Sequence, residues 1–160
     1  CSNCGFKKIC SAFINNKINE LPVKEKKISI KKRWFYYLVL EYKNEIAIRQ
    51  RIEKDIWQDL YEFPLIEADK EMDKKNILKQ AEKNKWVHKG KYELLAVSPL
   101  FKQQLSHQLI AGQFIKLKLK GNHDLESNWI WVTKSRIGKF AFPRFINQYL
   151  NEKGGQQSLF

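Results

Sequence analysis

Three cysteines near the start of the chain carry its first chemical signal. Cys1, Cys4 and Cys10 follow the spacing C-x2-C-x5-C, and no other cysteine occurs in the 160 residues. Clustered thiolates are typical ligands of zinc and of iron–sulfur clusters. Three thiolates are one short of the usual four for a cluster, so we expect a fourth ligand from upstream sequence. A zinc site and three reduced structural thiols are the open alternatives, whereas an odd, clustered set argues against a disulfide framework.

The net charge indicates a polyanionic partner. Lysine and arginine number 30 against 17 acidic residues, a net charge of +13. Such an excess most often indicates nucleic acid binding, although a lysine-rich surface without a partner is the open alternative. Hydrophobic residues at 43% and aromatic residues at 13% favour a folded domain with a core.

The chain contains no segment that predicts export or membrane insertion. No apolar run approaches the roughly 20 residues of a membrane span, and no signal peptide opens the chain. We therefore expect a bacterial cytoplasmic, nucleoid-associated protein in a reducing environment, with no membrane partner. We also expect a monomer.

Patterning divides the chain into four parts. Residues 1–10 form the cysteine arm, 11–27 an exposed connector, 28–153 a folded domain and 154–160 a flexible tail. The domain's elements are predicted from periodicity and turn residues. They are a hairpin of strands 33–42 and 45–52, a loop at 57–66 with short extended pieces around Pro64, a helix at 73–85, strands at 92–97, 113–120 and 129–133, and a last helix from Pro143 that Gly154 ends. This order predicts an α+β domain with a mixed or antiparallel sheet flanked by helices.

Residues 113–120 show the clearest strand pattern. Ile115, Leu117 and Leu119 alternate with lysines at positions 116, 118 and 120. Alternation of this kind predicts a half-buried antiparallel strand with a basic outer row. In the predicted helix, Ile77, Leu78 and Ala81 should face inward, with Asp73 as its cap.

Three further motifs follow the cysteines in a recognisable order. They are the run Arg51-x3-Asp55-Ile56-Trp57-Gln58-Asp59-Leu60-Tyr61-Glu62-Phe63-Pro64, the tripeptide Leu105-Ser106-His107, and Phe140-Ala141-Phe142-Pro143. The cysteine spacing resembles the cluster loop of DNA glycosylases related to endonuclease III and of MutY-type adenine glycosylases. The other three resemble segments of the Nudix-like C-terminal domain of the adenine DNA glycosylases. We expect Trp57, Tyr61 and Phe63 to pack in the core rather than stack on bases.

The resemblance implies a Nudix-like fold and a part in base excision DNA repair. The family removes adenine mispaired with 8-oxoguanine by hydrolysing its N-glycosidic bond, after flipping the adenine out of the duplex. Its catalytic residues lie in an upstream helical domain, so none is assigned here, and we expect this chain to be inactive alone. The resemblance also implies that Cys1, Cys4 and Cys10 are ligands of a 4Fe–4S cluster in the full-length protein. With its fourth cysteine upstream, we do not expect that cluster in this chain by itself.

The resemblance further implies that Leu105, Ser106 and His107 contact DNA and read 8-oxoguanine opposite adenine. A serine hydroxyl both donates and accepts hydrogen bonds, so it can test the atoms that distinguish 8-oxoguanine from guanine. An apolar neighbour can wedge into the base stack. Leu105 stands where the family commonly has phenylalanine, and leucine stacks less well. From the residues alone, an ordinary strand-connecting turn is the favoured reading of Ser106 and His107, and the resemblance reverses that preference.

Two other functional classes remain open at this point. One is a Nudix-type nucleotide pyrophosphohydrolase, and the other is a basic nucleic-acid-binding module without catalysis. True Nudix hydrolases hold Mg²⁺ on a helix rich in glutamate. The corresponding helix here reads DKKNILKQAEKNKW, in which Glu82 is the only glutamate. Because a hard divalent ion needs several converging oxygens, we expect no magnesium-dependent Nudix site.

The C-terminal tail resembles a clamp-binding peptide. Gln156, Leu159 and Phe160 lie in the sequence QQSLF, which is similar to the Q-L-S/D-L-F peptides that bind the bacterial sliding clamp. Gln157 departs from the usual leucine. Leu159 and Phe160 would fill an apolar pocket while Gln156 fixes the register. A chance match in a frayed end is the alternative.

Overall fold

A mixed sheet with helices on both faces forms the domain. A computed structural model describes residues 1–21, 29–121 and 128–155, the last three of these as backbone only. Short helices lie in the cysteine arm, a 3-10 turn at Lys7–Ile9 and α1 at Ser11–Ile14. The described strands are β1 Lys31–Tyr42, β2 Glu45–Gln50, β3 Tyr61–Glu62, β4 Leu65–Ala68, β5 Tyr92–Val97, β6 Phe101–Gln104, β7 Gln108–Leu119 and β8 Ile130–Thr133. The remaining helices are α2 Lys74–Lys83, a 3-10 helix Lys134–Lys139 and α3 Arg144–Gly155.

The parallel pair of β1 and β7 is the centre of the sheet. Its register runs from Lys31 opposite Gln108 to Glu41 opposite Lys118. The order across the sheet is β3-β2-β1-β7-β5, while β4 adds to β1, β6 to β7 and β8 to β2, all antiparallel. The predicted α+β class with a mixed sheet and flanking helices is confirmed.

Strand β1 is apolar on both faces because both are covered. Phe35, Tyr37 and Val39 join one buried cluster, into which α3 inserts Phe145 and Ile146. The alternate residues join a second cluster on the other face, which α2 covers; they are Trp34, Tyr36, Leu38 and Leu40. Continuous apolar sequence is the expected signature of a strand buried on both sides.

The α2 helix has the predicted cap and inner face. The Asp73 carboxylate accepts a hydrogen bond from the backbone N–H of Asn76 at 2.7 Å. Ile77 and Ala81 are buried, and Leu78 is half-buried. The β1–β2 turn also forms as predicted, with Lys43 and Asn44 at φ 44° and 67°, which suits a tight hairpin.

The short extended pieces predicted around Pro64 are present as β3 and β4, of which β4 runs on to Ala68. Two expectations about strands need correction. Strand β7 begins at Gln108 instead of 113, and it pairs parallel with β1 as well as antiparallel with β5 and β6. Lys116 does not belong to an exposed row, because it is half-buried and its ammonium lies 3.2 Å from the Glu41 carboxylate. A strand's partners depend on distant sequence, which its own periodicity does not contain.

The ends of the chain are described in part. Residues 11–21 of the predicted connector are largely exposed and include α1, whereas 22–28 lie outside the described residues. The last helix follows Pro143 as expected but runs one residue past Gly154. In the described part of the chain, no helix is long and apolar enough to cross a membrane.

Gly112 should be essential for the central strand pair. A Cβ at this position would lie 2.0 Å from the carbonyl oxygen of Phe35 on β1. The β1 backbone could make room for it only by breaking its pairing with β7, which costs free energy. We expect Gly112→Ala to lower the free energy of unfolding by about 3 kcal/mol or more. Urea unfolding followed by tryptophan fluorescence measures the loss. Gly138→Ala is the matched control, since a Cβ there meets nothing within 4 Å; an equal loss in both variants would contradict the close approach.

Candidate functional site: the 105–108 hairpin and its ion-pair network

A tight hairpin between β6 and β7 presents two side chains to solvent. The backbone N–H of Leu105 donates to the carbonyl of Gln108 at 2.8 Å, which closes the turn. Ser106 and His107 lie at its tip and are exposed. The side-chain amide of Gln104 donates to the carbonyls of Leu105 and Gln108 at 2.6 and 3.2 Å, so it ties the two sides of the turn together.

Leu105 has a different environment from its two neighbours. Its side chain is partly buried and packs against the cluster that contains Phe35 and Phe145. This contact anchors the base of the turn to the core. The residues free to meet another molecule at the tip are therefore Ser106 and His107.

Strand β1 fixes the hairpin from its other side. The backbone N–H of Lys31 donates to the carbonyl of His107 at 3.0 Å. The Arg33 guanidinium donates through Nη1 to the side-chain carbonyl of Gln108 at 3.0 Å. Hydrogen bonds before and after the tip hold the turn in one position relative to the sheet.

Arg33 is the node of a buried ion-pair network. Its Nη1 and Nη2 donate to the two Asp55 oxygens at 2.9 and 2.6 Å, and its Nε and Nη2 donate to Glu67 at 2.5 and 2.6 Å. With Gln108, all five N–H groups of the guanidinium have acceptors. The hydrogen bond from Arg33 lowers the pKa of Asp55, and the bonds to Glu67 and Asp55 raise the pKa of Arg33.

Asp55 connects this node to a second one around Glu62. The Arg51 guanidinium lies 3.4 Å from Asp55 and 2.5 Å from Glu62, whose other oxygen accepts from Arg49 at 3.0 Å. Glu62 is fully buried. Burial raises the pKa of Glu62, and the charges of Arg51 and Arg49 oppose that rise. The Arg51–Pro64 motif thus forms a folded loop that braces the hairpin through Arg33.

Sequence reasoning found part of this arrangement. It singled out the tripeptide and the Arg51–Pro64 run, but missed Arg33, Glu67 and Gln108, which lie far from Asp55 in sequence and have no local motif. Phe63 is buried, and Trp57 and Tyr61 pack against the same cluster, as expected for core residues.

The other predicted site residues lie apart from the hairpin or outside the described residues. Cys1 and Cys4 are exposed, Cys10 is partly exposed, and all three are free thiols. Within residues 1–21, 29–121 and 128–155, no group of three or more His, Cys, Asp and Glu side chains could hold a metal ion. Gln156, Leu159 and Phe160 lie outside the described residues.

Comparison with known families matches this fold along most of its length. The model of the NUDIX domain matches residues 35–152. The chain belongs to the NUDIX domain family. This match contains the Arg51–Pro64 loop and the 105–108 hairpin, whereas Arg33 lies just before its first residue.

Several individual proteins are similar to this chain in sequence or in structure. An adenine DNA glycosylase of Buchnera aphidicola subsp. Baizongia pistaciae is 30% identical over 144 residues, which are 88% of this chain and 34% of that protein. The chain thus spans about a third of the length of this relative. The C-terminal domain of mouse MUTYH, solved in complex with human PCNA, matches with a TM-score of 0.56 and 15% identity over 79% of this chain and 94% of that one. A MutT protein from Methanosarcina mazei matches with a TM-score of 0.61 and 8% identity, over 82% of this chain and 100% of that one. At these identities the two solved structures show the fold alone.

The buried Arg51–Glu62 pair should contribute strongly to the stability of the domain. Glu62→Gln keeps the shape but leaves Arg51, only 4% exposed, without its nearest carboxylate. We expect a loss of about 3–5 kcal/mol in the free energy of unfolding, because an uncompensated buried charge is costly. Urea unfolding measures it. Glu53→Gln, which removes a half-exposed partner of Arg49, should cost about 1 kcal/mol or less. An equal loss of unfolding free energy in Glu62→Gln and Glu53→Gln would contradict the importance of burying the Arg51–Glu62 pair.

Proposed function

We propose that this chain is the lesion-recognition region of an adenine DNA glycosylase that removes adenine mispaired with 8-oxoguanine. The observation that carries the proposal is the match to a glycosylase over 88% of this chain, which includes the hairpin. The exposed Ser106–His107 tip, fixed on both sides by hydrogen bonds, supports the same role.

The chemistry of the tip suits recognition of an oxidised purine. 8-Oxoguanine differs from guanine by an oxygen at C8 and a hydrogen at N7. The Ser106 hydroxyl can donate to the first and accept from the second, and His107 offers both a ring donor and a ring acceptor. Because the turn is already fixed by Gln104, Lys31 and Arg33, little ordering free energy is spent when it meets DNA.

Excision itself belongs to another part of the protein in this proposal. This chain supplies binding and orientation, and it should neither excise adenine nor hydrolyse oxidised nucleotides by itself. Cys1, Cys4 and Cys10 are free thiols of the ligand type that iron–sulfur clusters use. They would supply three of the four thiolates of a 4Fe–4S cluster in the full-length protein, where the cluster would hold the arm in a fixed shape.

The recognition role predicts a selective defect. In the full-length protein, Ser106→Ala with His107→Ala should reduce the preference for 8-oxoguanine over guanine opposite adenine. Loss of base contacts should cost about 1–3 kcal/mol of discrimination. Binding and single-turnover excision on the two duplexes measure the ratio. The control is Ser135→Ala, an exposed serine of the Lys134–Lys139 helix. A double variant that discriminates as well as the wild type would contradict the role of the hairpin.

We further propose that the tail recruits a bacterial sliding clamp through Gln156, Leu159 and Phe160. The similar mouse domain was solved in complex with human PCNA, which supports a partner of this class. The effect should be on recruitment alone, because a short peptide binds weakly and this one lies apart from the hairpin in sequence.

Replacing Leu159 and Phe160 with serine should therefore abolish binding to the cognate clamp and leave single-turnover excision unchanged. Surface plasmon resonance on immobilised clamp measures clamp binding, and a single-turnover assay measures excision. Gln157→Ser is the control, since Gln157 departs from the clamp-binding pattern. Clamp binding that persists without both apolar residues would contradict the proposal.

A further inference from the structure

Two exposed lysines belong to the segments that meet at Arg33. Lys31 lies opposite Gln108 in the register of β1 and β7, and its backbone N–H donates to the carbonyl of His107. Side chains alternate along a strand, so Lys31 lies on the same face as Arg33. Lys54 directly precedes Asp55, whose carboxylate accepts a hydrogen bond from Arg33. We call Lys31 and Lys54 the flanking lysines.

The arginines of this region cannot take on an anionic ligand. Every N–H of Arg33 already has an acceptor among Asp55, Glu67 and Gln108. Arg51 is only 4% exposed and is paired with Glu62 and Asp55. A phosphate would have to displace Asp55 and Glu67 from Arg33, or the buried Glu62 from Arg51, and the free energy of that exchange is unfavourable.

Unlike these two arginines, the flanking lysines are available to an anionic ligand. Both are exposed, and among the described residues neither side chain has a carboxylate within salt-bridge distance. Asp55 and Glu67 are paired with Arg33 and not with these lysines. Lys31 and Lys54 therefore add positive charge on flexible, solvated ammonium groups, which suit phosphate as point charges.

We propose that Lys31 and Lys54 contact the phosphates of duplex DNA next to the nucleotide that Ser106 and His107 read. This inference rests on the proposed function and adds the residues that bind the DNA backbone. Phosphate contacts set position without reading sequence, whereas the tip reads the base. The two sets of residues therefore have separable effects on binding.

The neighbouring lysine provides a matched control. Lys32 is exposed, but it lies on the opposite face of β1, where its ammonium is 4.6 Å from the centre of the Trp34 ring. Lys75 belongs to α2, which covers that same opposite face. Lys32→Gln with Lys75→Gln removes two positive charges, as Lys31→Gln with Lys54→Gln does. The two double variants have equal net charge and differ in which face they alter.

The experiment measures affinity of the full-length protein for 8-oxoguanine and guanine duplexes over a range of salt concentrations. Lys31→Gln/Lys54→Gln should bind both duplexes more weakly by the same factor, and the log–log salt slope should fall by about 2, since each phosphate contact contributes about 0.9. The control should keep the wild-type salt slope. Lys31→Arg/Lys54→Arg should also keep the wild-type salt slope, because both positive charges are retained. Thermal unfolding checks that each variant is folded.

Three results would overturn the inference. They are an unchanged slope in Lys31→Gln/Lys54→Gln, an equal fall in the control, and a change in the 8-oxoguanine preference, which would mean that these lysines act through the hairpin. Failure of the proposed function is distinct, because it appears as a wild-type protein without any preference for 8-oxoguanine. In that case the salt slopes still decide whether the flanking lysines bind phosphate.

Discussion

The candidate site depends on the hydrogen bonds and ion pairs of the Arg33 guanidinium. It joins β1, β4, the start of β7 and the Arg51–Pro64 loop, using every donor it has. A planar fork with five donors can satisfy acceptors from three directions at once, which a lysine in this place could not do. The hairpin is rigid because this node holds Gln108 at its base.

The same node determines which charges remain available on the surface. Asp55, Glu62 and Glu67 have internal partners, and Arg33 and Arg51 are occupied by these pairs. Lys31 and Lys54 remain exposed. An arginine-rich sequence motif is therefore a poor guide to the cations available to a ligand when the arginines have carboxylate partners within the fold.

The domain places its own set of polar residues on a widely shared fold. Its fold resembles that of a MutT protein, and the chain belongs to the NUDIX domain family. Yet the exposed residues of α2 include Lys74, Lys75, Lys79 and Lys83, and its one glutamate, Glu82, accepts a hydrogen bond from Tyr92 at 3.0 Å. The framework of β1, β7 and two covering helices is preserved by apolar packing, while the polar residues placed on it set the function.

The sequence by itself determined the fold class, the two-sided burial of β1, the α2 cap and two of the segments that form the candidate site. Each of these has a local signal: periodicity, a capping residue or a motif. Tertiary structure alone decided that β1 and β7 run parallel, that Lys116 turns to Glu41, and that Leu105 packs inward while Ser106 and His107 face solvent. It also decided that Arg33, Asp55, Glu67 and Gln108 meet. The contacts of Arg33 alone join residues 22 to 75 positions apart, and no local pattern encodes which distant partner a buried charge will find.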